Sequence, residues 1–245
     1  MIKVILLLLS LASLLGGAES VTIPTMNFEL SAPNSPQQLV SSLNVLVLLT
    51  LLFLAPSMIL VMTTFTRFVI VLGFLRQAMG TQQVPPTQLL VMLAMILTFF
   101  VMEPIGTKAY ESGIKPYIAE EIGYEEAFAK SVLPFKNFMI RNTREKDLAL
   151  FFRIRKMENP GTVADVPLSI IIPAFVISEM KTAFEIGFLI FLPFLVIDMV
   201  VASILMSMGM MMLPPVMISL PFKILVFVLI DGWTLLIGNL IASIK

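Results

Sequence analysis

LSIIIPAFVISEMKTAFEIGFLIFLPFLVIDMVVASILMSMGMMMLPPVMISLPFKILVFVLIDGWTLLIGNLIASIK, residues 168–245, decides the fold. Before Lys245 it carries six ionisable residues, Glu179, Lys181, Glu185, Asp198, Lys223 and Asp231. Two long apolar arms are broken by Pro214 and Pro215, with Pro173, Pro193 and Pro221 as candidate kinks, and the pattern reads as a kinked helical hairpin.

Immediately upstream the material changes. Residues 104–167 hold 19 of the 32 charged residues, ten basic and nine acidic, and read as a water-exposed insert. Glu120 to Lys130 and Arg141 to Lys156 are rich in helix formers, and Leu148, Phe151 and Phe152 repeat at helical spacing. Asn159, Pro160 and Gly161 are expected to end that helix. Further back, residues 43–103 read as a first apolar hairpin. Leu43 to Met62 is long enough to span, with Pro56 a candidate kink, and Pro85 and Pro86 open a helix that crosses near Leu89 to Val101.

Residues 1–18 combine Lys3, an apolar run and small residues at Gly16 and Ala18, the pattern of a cleaved secretory signal, with an uncleaved anchor as the alternative. Residues 19–42, punctuated by Pro24, Pro33 and Pro36, form an extracytoplasmic arm. With Glu19 outside, the first span leads inward to Arg67 and Arg76, expected as cytoplasmic-side anchors, and the insert lies outside.

The whole chain agrees with this reading. Its 245 residues are 58% hydrophobic and 13% charged, with a mean hydropathy of +0.98, against about 25% charge in a soluble domain. The class is an all-α integral membrane protein. Sixteen bases balance sixteen acids, so no field draws the chain to nucleic acid. Absence of His and Cys removes Cys/His zinc sites, thiol catalysis and a Ser-His-Asp triad. No Walker loop or dinucleotide fingerprint is present, so neither an enzyme nor a resident cofactor or metal is expected.

Charges in apolar arms cost about 2.5 to 3.5 kcal/mol each at a bilayer centre, so they pair or face a cavity. Two uses are open: structural pairing between helices or subunits, or proton and ion handling by Asp198, Glu185 and Asp231. Glu179 and Asp198 on one arm oppose Lys223 on the other, and the sequence does not choose the pairing. Met208, Met210, Met211 and Met212 crowd the turn around Gly209. Soft thioethers could seal an opening and deform around a passing chain, or serve as apolar filler.

Several ordered blocks carry a resemblance: Thr63-Thr64-Phe65-Thr66-Arg67, VIVLGFLRQAMGTQQVPP (69–86), LTFFVMEP (97–104), TREKDLALF (143–151), IPAFVISEMKTAFEIGF (172–188), MGMMMLPP (208–215) and LPFKILVFVLIDGW (220–233). The chain resembles the FliP family, the P component of the flagellar type III export gate, and its injectisome counterparts. The resemblance implies a homo-pentameric ring joined by small hydrophobic Q and R subunits, with larger export-gate membrane proteins, conducting unfolded export substrates across the bacterial inner membrane at the flagellar basal body. It further implies a substantial periplasmic part, a gasket made by Met208 and Met210 to Met212, and a salt bridge between subunits from Glu179 to Lys223. The signal and the long insert favour the flagellar branch. The rival function is an ion- or proton-coupled small-solute transporter, against which stands the lack of repeated halves.

Overall fold

A computed structural model describes residues 36–81, 84–158, 161–210 and 213–244. The expected signal, most of the arm, Met211 and Met212 lie outside the described residues. Every regular element among the described residues is helical. Helix α1 is Pro36–Val61, α2 is Phe65–Ala78 and α3 is Thr87–Ala109. A π-helical turn, Tyr110–Ile114, carries α3 into the short α4, Lys115–Ile118. Then come α5, Tyr124–Asn142, and α6, Glu145–Arg155. The last three are α7, Leu168–Ser207, α8, Pro215–Leu229, and α9, Gly232–Ala242.

Residues Met1–Leu49 and Thr50–Lys245 form two compact units. In the first, the described α1 side chains from Leu43 to Leu49 are exposed. All later helices belong to the second.

Among the described residues two helices are long and apolar enough to cross a membrane, Thr87–Ile118 with a mean hydropathy of 2.2 and Leu168–Ser207 with 2.6. The pair α8 and α9 qualifies as a third only if its 66° bend lies within one span. At 1.5 Å per residue, the 40 residues of α7 reach about 60 Å, twice the roughly 30 Å of a hydrocarbon core. Helix α7 contains Pro173 and Pro193, and α8 contains Pro221.

Local chemistry explains the ends. Helix α3 starts directly after Pro85 and Pro86. Helix α7 ends on Gly209 at φ 77°, where the Met210 N–H reaches the Leu205 carbonyl (3.0 Å) and the Gly209 N–H the Met206 carbonyl (3.1 Å). This wrap satisfies carbonyls the helix would otherwise leave open. Pro215 then opens α8 at a position that needs no N–H.

Three expectations change. The helix expected from Glu120 starts at Tyr124, because Glu120 is left-handed and the Glu121 N–H folds back to the Pro116 carbonyl. The helix expected over Arg141 to Lys156 is two helices, separated by extended backbone at Thr143 and Arg144. It ends at Arg155, ahead of the Asn159-Pro160-Gly161 signal, because Lys156 takes a left-handed cap.

Packing divides α7 in two. Phe68, Val71, Leu72 and Leu75 of α2, at helical spacing, are buried with Leu90 and Ala94 of α3, Ala183 and Phe194 of α7, and Leu240 of α9. Gly187 is where α7 admits the Phe74 ring: a Cβ there would stand 2.5 Å from it. Nearer the start of α7, Ile170, Ile171 and Phe175 pack with Phe138 and Met139 of α5 and Phe152 of α6. Each fully buried side chain of this size contributes about 1.5–3 kcal/mol.

Candidate functional site

The charges that break the apolar pattern of α7 are held by partners from distant sequence. Ser178, Lys181, Thr182 and Glu185 recur at intervals of three and four, so they share one face of the helix. The α5–α6 corner docks there. The Ser178 hydroxyl donates to Asp147 Oδ2 (2.8 Å) and accepts the Arg144 N–H (3.0 Å). Lys181 Nζ pairs with Asp147 Oδ1. The Arg144 guanidinium donates to Glu185 Oε2 (2.6 Å) and to Thr182 Oγ1 (3.3 Å).

This arrangement sets the charge state of the corner. Burial pushes the Asp147 carboxyl up, but hydrogen bonds from Lys181 and Ser178, with the positive charges of Lys181 and Arg144, outweigh it and hold the group below its usual range. The hydrogen bond to Glu185 raises Arg144 further above its ordinary value, against a smaller desolvation effect.

Glu179 points elsewhere, to α2. Arg67 is 2% exposed and Glu179 0%. Arg67 Nε donates to Glu179 Oε2 (2.8 Å), and its second nitrogen pairs with Oε1. The remaining nitrogen donates to the Ser243 carbonyl and hydroxyl, both at 2.9 Å. One guanidinium thus ties α2, α7 and the end of α9, using the planar fork that suits Arg and not Lys.

Lys223, also 2% exposed, donates to Asp198 Oδ2 (2.6 Å) and to the Ala78 carbonyl (3.1 Å). The latter is the C-terminal end of α2, where the helix dipole favours a cation. The Ser219 hydroxyl donates to the other Asp198 oxygen. Gly80, at φ 78°, keeps the end of α2 close over this pair, since a Cβ would lie 3.3 Å from Val216 Cγ1.

The other candidates are dispersed. Arg76 donates to Thr87 Oγ1 (2.8 Å) and pins the α2–α3 connection. Asp231 is exposed at the α8–α9 corner with left-handed backbone, and its side chain caps nothing. Glu185 and Asp198 lie on the same helix, about 20 Å apart along its axis, so with Asp231 they do not gather into one carboxylate site. Met208 is 61% and Met210 41% exposed at the α7–α8 turn. Among the described residues no group of His, Cys, Asp or Glu is placed to hold a metal ion.

Within one chain, therefore, Glu179 and Lys223 are not brought together: each has its own partner, Arg67 and Asp198. Arg67 and the insert helix α6 also meet α7 at the same level, at Glu179 and Ser178, so no bilayer thickness separates them. Arg144, Asp147 and Ser178 were not singled out from sequence. The polar recurrence at 178, 181, 182 and 185 inside an apolar run was the available signal.

Described residues whose regular elements are all helical, with apolar helices long enough to cross a bilayer and with Glu179, Lys181, Glu185, Asp198 and Lys223 each held in an ion pair, define a helical membrane protein. Residues 48–240 match the model of the FliP family. The flagellar biosynthetic protein FliP of Bacillus subtilis is 53% identical over 210 residues, 86% of this chain and 95% of the relative. That of Caulobacter vibrioides is 54% identical over 198 residues, 81% and 74%, and that of Aquifex aeolicus 48% over 207 residues, 84% and 87%. The chain belongs to the FliP family.

Proposed function

We propose that this chain is a pore-forming core subunit of the flagellar type III export gate, through which unfolded flagellar proteins cross the inner membrane. The observation that carries the reading is the methionine turn. At the end of the longest helix among the described residues, Met206, Met208 and Met210 stand exposed around the Gly209 cap. Such flexible apolar side chains seal a narrow opening when several copies bring them together, and yield to a passing polypeptide.

In this reading five copies form a ring with smaller Q and R subunits and larger gate proteins, and the chain supplies wall and seal without bond chemistry. The hairpins at 43–103 and 168–245, kinked at their prolines, bury their exposed apolar faces on neighbours and lipid. The insert at 104–167 stands on the periplasmic side, the arm at 19–42 precedes the first hairpin, and residues 1–18 are removed. Arg67, level with the insert on α7, belongs to that same side, which supports a subunit with much of its length outside the cytoplasm. A bridge from Glu179 to Lys223 of a neighbour requires both intrachain pairs to open.

The test is ion conductance of membranes holding the assembled gate. Met210, Met211 and Met212 replaced together by Ala are expected to raise resting conductance. Conductance equal to the parent, with assembly intact, removes the gasket.

A further inference from the structure

Two surfaces of the insert carry opposite charge, exposed apolar groups and the same unusual backbone. The first surrounds the turn between α4 and α5. Tyr117, Ile118, Tyr124 and Phe128 are exposed there. The Tyr117 and Tyr124 rings meet edge to face, and Tyr124 stacks on Phe128, each pair with centroids 6.4 Å apart. From Tyr110 to Phe128 the chain has five acids, Glu111, Glu120, Glu121, Glu125 and Glu126, against the single base Lys115. All five are exposed, and Glu126 pairs with Lys130 at 2.8 Å.

The second surface is the end of α6. Arg153, Arg155 and Lys156 are exposed beside Met157 and the 64% exposed Ile154. Glu158 follows them in sequence, and Glu145 borders the same hollow as Arg153 and Met157.

At each surface a helix closes on a charged residue in left-handed backbone, Glu120 at φ 58° and Lys156 at φ 52°. The Glu121 N–H reaches the Pro116 carbonyl (2.9 Å) and the Met157 N–H the Phe152 carbonyl (3.0 Å), the same wrap twice. Glycine is the default there, as Gly209 shows on α7, and a bulkier residue costs about 1 kcal/mol or more. Among the described residues neither Glu120 nor Lys156 has an ion-pair partner that repays this cost.

We propose that the two surfaces meet between copies: the acidic aromatic tip of one chain receives the basic end of α6 of the next. The proposal rests on the ring of identical chains inferred above and names the surfaces that join it. Charge complementarity selects a second copy, and Arg over a Tyr face adds a cation–π contribution. Contact between two different patches is head-to-tail, the geometry that closes into a ring instead of a two-fold dimer.

The chain has no cysteine, which makes the test direct. Tyr124→Cys and Ile154→Cys are placed on two differently tagged full-length copies, co-expressed with the other gate proteins and treated with a short bismaleimide in the purified complex. The expected result is a two-chain product that needs both variants. Glu120→Lys with Glu121→Lys on the first copy lowers its yield about tenfold, and Arg155→Glu with Lys156→Glu on the second restores it. A ring of several copies by native mass spectrometry with no such product overturns the contact and leaves the gate reading standing. No ring overturns both, and a product linking Tyr124→Cys to a chain of different mass overturns the second copy as occupant.

Discussion

Arg67 and Glu179 show how a charge is tolerated in an apolar helix. Removing one partner strands the other away from water, which costs about 3–5 kcal/mol. Arg67→Ala is therefore expected to lower the thermal midpoint in detergent strongly, and Arg67→Lys to recover little of it, because an ammonium cannot serve both Glu179 oxygens and Ser243 together. The exchange Arg67→Glu with Glu179→Arg recovers more than Glu179→Lys with Lys223→Glu, since only the first pair is in contact within the chain; the reverse order would place the working bridge between subunits. Asp147 gives a second expectation. Its carboxyl is lowered in the folded chain, so its contribution is fully present above the unfolded value near 4 and is lost as pH falls through the lower folded value. The stability gap between parent and Asp147→Asn is expected to hold from pH 7 to 5 and to shrink below about 4, measured by thermal unfolding across that series.

At the level of elements, the hydrophobic pattern carries most of the fold because it is local. The apolar arm from Leu168, the break before Pro215 and the helix after Pro86 follow from residues near each boundary. What the pattern cannot carry is partner choice over long separations. Glu179 stood out as a costly charge, yet its partner Arg67 lies 112 residues away and read equally well as an anchor at the membrane edge. The break at Asp231 was likewise hidden, because the residues on both sides are apolar enough to continue one helix. The α5–α6 corner is attached to α7 by Arg144, Asp147 and Ser178 together with the buried cluster of Phe138, Met139, Phe152, Ile170, Ile171 and Phe175. Arg144→Ala is expected to raise amide exchange across residues 143–156 while leaving α2 and the later half of α7 protected; uniform loss of protection would show the corner to be integral to the main core.

For the whole molecule, the exposed valines, leucines and phenylalanines along α7 and α8 exceed what a lone soluble chain presents to water. Gentle extraction followed by native mass spectrometry is expected to find five copies, each beginning at Glu19, with two kinds of smaller apolar chain. Isolated monomers or dimers of full-length chain would favour the transporter and make Asp198 the residue to replace next. Helix α7 has a mechanical consequence as well. Its last ion pair, Asp198 with Lys223, lies about 15 Å along the axis from the methionine turn. The stretch beyond it is a lever whose fulcrum is that pair, and each degree of tilt about it sweeps the turn by roughly 0.3 Å, given that arm length. In the ring proposed above, a tilt of about ten degrees shared by every copy would draw each methionine turn back by roughly 2.5 Å, a closed iris becoming an open one.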